Sequence, residues 1–343
     1  MKKTFRKILF ILAAFFLILR RISLIFIKNI LRAVPDRNEA VPESPANAED
    51  CADDPAKETY MDNRQKLRAM GAQFEQSMKN ASITNPDGLI LRAKYRMHDS
   101  DTHRWVISIH GYKDSHHFML PYGAVFYRKG YHVLLPDNRA HGVSEGKYIG
   151  MGWLDKEDIA EWINWIIRRD ADAQIILHGI SMGGATVMMT AGKNLDHVVG
   201  YIEDCGYTSV WDIFACVMKR DYHLPAFPIL HTCRAISRRR LGYDYVKASA
   251  LTQLAHCDKP MLFIHGEKDD FVPTDMGYEV YKAFPGTKEL YIAKDAGHAN
   301  AMDYDPQTYF ARIFAFIDKN IVFEETINER SQIQHLSKTE RIP

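Results

Sequence analysis

The chain has 343 residues, enough for one large α/β domain with an insertion or for two small domains. An apolar fraction of 46% supports a sizeable core, and 44 Lys and Arg balance 43 Asp and Glu, so no overall field favours nucleic acid as a partner. The five cysteines, Cys51, Cys205, Cys216, Cys233 and Cys257, form no C-x-x-C pair. They indicate neither a zinc site nor a disulfide framework, and Cys216 and Cys233 read better as free thiols than as a bridge.

Lys2, Lys3, Arg6 and Lys7 precede an unbroken apolar run, Ile8 to Leu19; Arg20 and Arg21 follow, then a second run, Ile22 to Ile27, with only Ser23 polar. The first run is shorter than the roughly 20 residues of a membrane span, and no small-x-small cleavage site follows it. Continuing the helix to Ile27 places two arginines inside it, at about 2.5–3.5 kcal/mol each near the bilayer centre, less where they snorkel to an interface. The favoured reading is an uncleaved membrane anchor over residues 1–31, with a core helix as the alternative. The flanking charges are nearly symmetric, so the positive-inside rule does not fix orientation; the expectation is a catalytic domain outside the cytoplasm.

Residues 32–57 carry Pro35, Pro42, Pro45 and Pro55 among acidic residues and Asn, the composition of a disordered linker. From Glu58 to Lys79 the pattern is helical, with Leu67, Met70, Phe74 and Met78 at spacings of three and four. This helix is expected on the flank of a folded domain that runs over 58–322. Asn85-Pro86-Asp87-Gly88 reads as a hairpin turn between strands, the clearer being Leu89 to Met97. A buried strand, Trp105 to Ile109, ends in His110-Gly111-Tyr112. A helix from about His117 to Arg128 closes at Gly130. Tyr131 to Leu135 is the next strand, and Asp155 to Arg168 an amphipathic helix. Ile175-Ile176-Leu177 leads into Gly179-Ile180-Ser181-Met182-Gly183-Gly184, and a helix-compatible run, Ala185 to Ala191, follows. Val198 to Ile202, Met261 to Ile264 and Leu290 to Ile292 are further strands, and residues 323–343 form a polar tail. Strand and helix alternate, as in a mostly parallel sheet with helices on both faces. Such sheets bind ligands beyond the carboxyl ends of their strands.

Gly-x-Ser-x-Gly between a strand and a helix forces the serine into a strained turn and pushes its side chain out above the sheet. A Cβ at Gly179 or Gly183 would clash with the neighbouring strand or helix. Ser181 is therefore the candidate nucleophile. Among fifteen histidines, His298 stands in a loop after a late strand, behind Gly297, and is the candidate base. The orienting acid is Asp269 or the adjacent Asp270, with Glu267 weaker; their chemistry does not separate them. The backbone N–H groups of Met182 and Tyr112 are the candidate oxyanion donors.

With Ser181, an aspartate and His298 in that order, the chain resembles the α/β-hydrolase superfamily. It is most similar to a membrane-anchored bacterial group related to the serine aminopeptidase-like hydrolases. The resemblance covers roughly 87–320. It rests on His110-Gly111-Tyr112, Asp137-x-Arg139-x-His141-Gly142-x-Ser144, Gly179-x-Ser181-x-Gly183-Gly184, His265-Gly266-x-x-Asp269-x-x-Val272-Pro273 and Gly297-His298-Ala299. It implies the α/β-hydrolase fold with a helical cap insertion at about 207–257. In the family pattern the acid lies three residues before Val-Pro, which selects Asp269, and Arg139 and His141 are structural. Ala140 stands where many relatives carry glycine. His178 reads as a packed strand residue. Trp211, Phe214, Tyr222, Phe227 and Leu230 of the cap suggest an apolar acyl or side-chain pocket, or the cap's own core. Arg234, Arg238, Arg239 and Arg240 read as a solvated face, with an anionic ligand the alternative.

These readings lead to a serine hydrolase that cleaves a small-molecule carboxylic ester or amide through an acyl-enzyme. It needs no metal or organic cofactor, and it meets the membrane through its N-terminal helix. The alternatives are a peptidase of short peptides and an inactive membrane-tethered binding protein.

Overall fold

The computed structural model describes residues 2–33 and 55–324. Nearly all of the expected linker, together with Cys51, and the tail from 325 onward lie outside them. In chain order the elements are α1 (Lys2–Leu31), α2 (Pro55–Glu75), β1 (Lys79–Thr84), β2 (Ile90–Arg96), β3 (Arg104–Ile109), α3 (His116–Arg128), β4 (His132–Pro136), α4 (Asp155–Ile167), β5 (Gln174–Ile180), α5 (Met182–Ala191), β6 (Val198–Asp204), α6 (Val210–Tyr222), α7 (Ala226–Arg240), α8 (Ala250–Leu254), β7 (Met261–Gly266), α9 (Thr274–Ala283), β8 (Lys288–Ala293), α10 (Ala301–Tyr304) and α11 (Pro306–Asn320).

The eight strands form one sheet in the order β1-β2-β4-β3-β5-β6-β7-β8. The β1–β2 and β2–β4 pairs are antiparallel and all the others parallel. This is the mostly parallel sheet that the alternating pattern predicts, in the α/β-hydrolase architecture that the resemblance implies. The hairpin falls at the Asn85–Gly88 turn, where Asn85 Oδ1 accepts the N–H of Leu89 at 2.9 Å and Gly88 has φ +79°. Every residue of β4, β5 and β7 is buried, as strands covered by helices on both faces must be. One core packs α3 and α11 against one face of the sheet, and a second packs α4, α5 and α9 against the other.

Helix α2 begins at Pro55, inside the stretch expected to be linker, and ends at Glu75; Lys79 already belongs to β1. It lies on α3, where Gly71 gives Leu120 and Pro121 room to approach. The sequence pattern did not register α9 or α11, although both carry a buried apolar face.

The insertion after β6 folds into α6, α7 and α8 above the carboxyl ends of the strands. Its interior is shared with α1. The first half of α1 stands in the open: Phe5, Phe10, Ile11 and Phe16 are 62–75% exposed. From Leu19 onward the helix packs on the cap, and Leu19, Phe26, Ile27 and Leu31 are buried. Phe26 meets Phe214 and Tyr222 edge-on at 5.8 and 5.6 Å. Ser23 Oγ donates to the Ile229 carbonyl at 3.3 Å. Past the helix end, Arg32 bridges to Tyr148, and the Ile149 N–H donates to the Leu31 carbonyl at 2.7 Å. Cys205, Cys216, Cys233 and Cys257 are all free.

Candidate active site

Strand β5 runs straight into the turn at Ser181, which takes φ +58°, ψ −116° before α5 begins at Met182. A non-glycine residue at positive φ is strained, and two close approaches hold it there. A Cβ on Gly183 would land on the Ile109 carbonyl oxygen, and one on Gly179 would land on the Gly183 carbonyl. These are the steric reasons for both glycines. Ser181 is 7% exposed, with its hydroxyl at the floor of the cleft beneath the cap.

His298 lies in the loop after β8, and Asp269 in the loop after β7. Ser181 Oγ donates to His298 Nε2 at 2.7 Å, and His298 Nδ1 donates to Asp269 Oδ2 at 2.7 Å; these partners assign the ring's tautomer. The three residues thus form one continuous hydrogen-bonded chain. The pair that chemistry left open separates by position. Asp269 is buried, whereas Asp270 and Glu267 are exposed, and Glu267 is taken up by the N–H of Asp295 at 3.1 Å. Burial alone would raise the Asp269 carboxyl. Hydrogen bonds and charge from His265 and His298 outweigh it and hold the group at about 2. Asp269 Oδ1 also accepts the N–H groups of Phe271 and Val272 at 3.0 and 2.9 Å. Asp269 is therefore anionic throughout the neutral range.

Gly297 precedes the histidine in this loop. A Cβ there would meet nothing nearer than Asn300 Nδ2 at 3.6 Å. The close approach is made by Gly266, at the end of β7, where a Cβ would strike the Gly297 carbonyl. Ala140 has φ +62°, so it occupies a left-handed position that favours glycine.

Gly111 brings the loop after β3 against the serine; a Cβ on it would lie 3.4 Å from Ser181 Cβ. The next residue, Tyr112, has no backbone acceptor for its N–H among the described residues. Met182 opens α5, where N–H groups lack intrahelical acceptors. This loop is braced by residues whose part the sequence motif did not disclose. His110 Nδ1 donates to the Gly111 carbonyl at 2.7 Å, and its Nε2 accepts the Asn138 N–H at 3.0 Å. Burial pushes His110 down to about 4, against the pull of Asp137, so the ring stays neutral and can accept. His141 Nε2 accepts the N–H of Lys113 at 3.1 Å, and its Nδ1 donates to the Arg139 carbonyl at 2.9 Å. Arg139 itself grips Asp158 through two bonds of 2.7 Å and Asp87 at 2.9 Å, a structural tie. His178 is fully buried on β5, beside Ser108 at 3.1 Å, and burial pushes it down to about 3.

A pocket of about 290 Å³ opens at Ser181. Its walls include Tyr112, Met151, Tyr207, Ile213, Phe214 and Val217, and α1 supplies Asn29 and Ile30. Phe214 and Tyr222 thus serve the pocket, Leu230 is buried in the cap, and Phe227 is 71% exposed. The lining carboxylate Asp221 is held by Arg220 through bonds of 2.6 and 3.0 Å. Among the described residues, two groups of three side chains have donor atoms close enough to hold a metal ion. Cys205, Asp269 and His298 share two members with the hydrogen-bonded chain, and Glu75, His116 and His117 lie between α2 and α3.

A profile of the family described as serine aminopeptidase, S33, matches residues 100–219. An uncharacterized protein of Bacillus subtilis (strain 168), YqkD, is 31% identical over 248 residues, covering 71% of this chain and 81% of that one. A thermostable monoacylglycerol lipase of Bacillus sp. (strain H-257) is 24% identical over 233 residues, 63% of this chain and 90% of the relative. Among solved structures, the Pyrococcus furiosus esterase Pf2001 superposes with a TM-score of 0.60 at 23% identity, over 80% of this chain and 97% of its own. The chain belongs to the serine aminopeptidase-like (S33) family of α/β hydrolases and is a serine hydrolase.

Proposed function

We propose that Ser181, His298 and Asp269 form a catalytic triad that hydrolyses carboxylic esters through an acyl-enzyme. The observation that carries this reading is the unbroken hydrogen-bonded chain from Ser181 Oγ through His298 to Asp269, with both links at 2.7 Å. Ser181 Oγ attacks the carbonyl carbon while its proton passes to His298 Nε2. Asp269 fixes the ring and stabilises its cation. The N–H groups of Tyr112 and Met182 face the developing oxyanion. Collapse of the tetrahedral intermediate breaks the bond to the alcohol, which leaves with the proton from His298. Water then gives a proton to His298, attacks the acyl carbon and releases the carboxylic acid, and the proton returns to Ser181.

An ester is favoured over a peptide amine substrate by the pocket's walls. They are largely apolar, and Asp221 is already neutralised by Arg220, whereas recognition of an α-ammonium group needs an uncompensated acid.

The first half of α1 is the membrane-embedded part. Phe5–Leu31 is long and apolar enough to cross a bilayer, and a helix apolar on all sides has no place in water. Because the second half is packed on the cap, only about 14 residues, or about 21 Å of helix, remain free. The site is thereby held close to the membrane surface.

Ser181→Ala should abolish labelling by a fluorophosphonate probe and turnover of p-nitrophenyl esters while thermal unfolding stays close to wild type. Full labelling of that variant would refute the assignment.

A further inference from the structure

A second concavity, of about 970 Å³, lies alongside the pocket at Ser181. It is bounded by the last turns of α1, the end of α7 and the loop at 146–148, and it shares Asn29 and Lys113 with that pocket. Its charged lining consists of Lys28, Arg32, Lys113, Lys147 and Arg240, with no carboxylate among the lining residues. All five are exposed, and none has an ion pair among the described residues.

Elsewhere on the cap three of the arginines are neutralised. Arg234 and Arg238 both reach Asp244, at 2.6 and 3.5 Å, and Arg220 holds Asp221. The chain as a whole carries a formal net charge of only +1, so five uncompensated cations around one cleft are a local arrangement. A helix C-terminus favours cations by about 0.3–1 kcal/mol. That accounts for Lys28 and Arg240, each in the last turn of its helix, but not for Lys113 or Lys147, which come from two loops. Leu24, Ile27 and Ile236 line the same cleft, so cationic and apolar surface alternate within it.

From these observations we infer that the cleft is a subsite for the alcohol part of the substrate, and that this part carries a phosphate. The inference rests on the serine-esterase reading above. With the carbonyl carbon at Ser181, the acyl chain lies among Ile213, Phe214 and Val217. The ester oxygen then faces Lys113, at the junction of the two concavities, and the phosphate lies between Lys28, Lys147 and Arg240. The substrate class is a single-chain acyl ester with an anionic headgroup, taken from the membrane in which α1 is embedded. Hydrolysis breaks the acyl C–O bond as described; the phosphate-bearing alcohol leaves protonated, and the phosphate undergoes no chemistry. Lys113 and Asn29, common to both concavities, register the headgroup against the reacting bond.

The test uses the full chain in detergent. Turnover of 1-oleoyl lysophosphatidylglycerol is compared with that of monooleoylglycerol, in the wild type and in the triple variant Lys28→Gln/Lys147→Gln/Arg240→Gln. Wild type should prefer the phosphate ester, and the variant should lose about tenfold or more of that preference, mainly through KM, as expected when charge-assisted contacts are removed. Equal preference in the two proteins, or no preference in wild type, overturns the inference. In a second arm, monooleoylglycerol is presented in vesicles of ether-linked anionic lipid, which cannot be hydrolysed. If the variant loses turnover there as steeply as on the phosphate ester, the cations bind the membrane surface and the subsite is refuted. Fluorophosphonate labelling of Ser181 is followed in parallel. Absence of labelling in wild type would sink the esterase reading itself, and labelling without headgroup preference sinks only the subsite.

Discussion

The phenol of Tyr112 donates a hydrogen bond to the carbonyl of Ile30 at 2.7 Å. One residue thus carries a proposed oxyanion N–H on its backbone and, on its side chain, a tie to the N-terminal helix. Burial raises the Tyr112 phenol well above its ordinary value, so it remains a donor at every working pH. Tyr112→Phe keeps the ring and removes the tie. It should cost about 0.5–1.5 kcal/mol and free α1 for earlier cleavage in limited proteolysis, with a rise in KM for long-chain esters. An unchanged proteolysis pattern would show that the bond does not secure the helix.

Removing residues 2–18 takes away helix in which none of the described side chains is buried. Activity on soluble p-nitrophenyl esters should persist, and Tm should move by no more than about 2 °C, while membrane association is lost. Removing residues 2–33 also strips Leu19, Phe26, Ile27 and Leu31 from the cap. Burial of such side chains contributes roughly 1.5–3 kcal/mol each, so this truncation should lower Tm far more and open the pocket. Equal stability of the two truncations would contradict the packing of α1 on the cap.

Asp269→Asn should preserve the fold and reduce kcat by about 10³–10⁴-fold, because the amide cannot hold the His298 tautomer or stabilise its cation. Asp270→Asn, at the exposed neighbour, should change kcat by less than about twofold. Steady-state kinetics on a p-nitrophenyl ester decide between the two positions.

Much of this site was legible in the sequence because its constraints are local. Gly179 and Gly183 are dictated by contacts within one strand–turn–helix, and the order of Ser181, Asp269 and His298 follows from the strands that carry them. What stayed hidden depends on pairs distant in sequence. The family pattern selects Asp269 over Asp270 without the reason, which is that Asp269 is buried and faces His265 and His298. The resemblance implies a structural His141 but not what it holds, which is the Lys113 N–H, 3.1 Å from its ring. Gly266, and not Gly297, makes the close approach, because the crowded atom, the Gly297 carbonyl, belongs to a loop distant in sequence. The apolar run of α1 suggested a membrane and said nothing of the cap, since a helix that is apolar all round does not reveal which face meets protein and which meets lipid.

His141→Ala removes the acceptor that sets the loop at Tyr112 and Lys113. A displaced oxyanion donor costs up to about 10²–10³ in kcat, and an indirect displacement should cost on the order of tenfold, with KM little changed. His141→Gln retains an acceptor and should recover part of the loss. A fall in both variants without recovery would point to general damage to the loop.

Glu203 is fully buried beside the turn, and its Oε2 accepts the Gly206 N–H at 3.0 Å. Burial pushes its carboxyl up from 4.5 to about 8. The folded state therefore keeps a proton that the unfolded chain has already lost. Stability is full below the unfolded value, declines as pH rises from about 4.5 and levels off above about 8, a change on the order of a few kcal/mol. Glu203→Gln should match wild type near pH 5 and unfold at a higher temperature near pH 9. An identical Tm difference at both pH values would rule out this proton as the cause.

The unbroken course of α1 has a mechanical consequence. The same rod that presents bare phenylalanines at one end walls the pocket with Asn29 and Ile30 at the other, and it is clamped there by the Arg32–Tyr148 bridge. A tether of this kind cannot swivel. With its free half in a bilayer, as proposed above, a change in membrane thickness or lateral pressure would tilt the rod and shift one wall of the pocket. Turnover on any substrate large enough to touch that wall would then be a gauge of the bilayer's physical state. An unrelated transmembrane helix grafted in place of α1 would restore location without restoring that coupling.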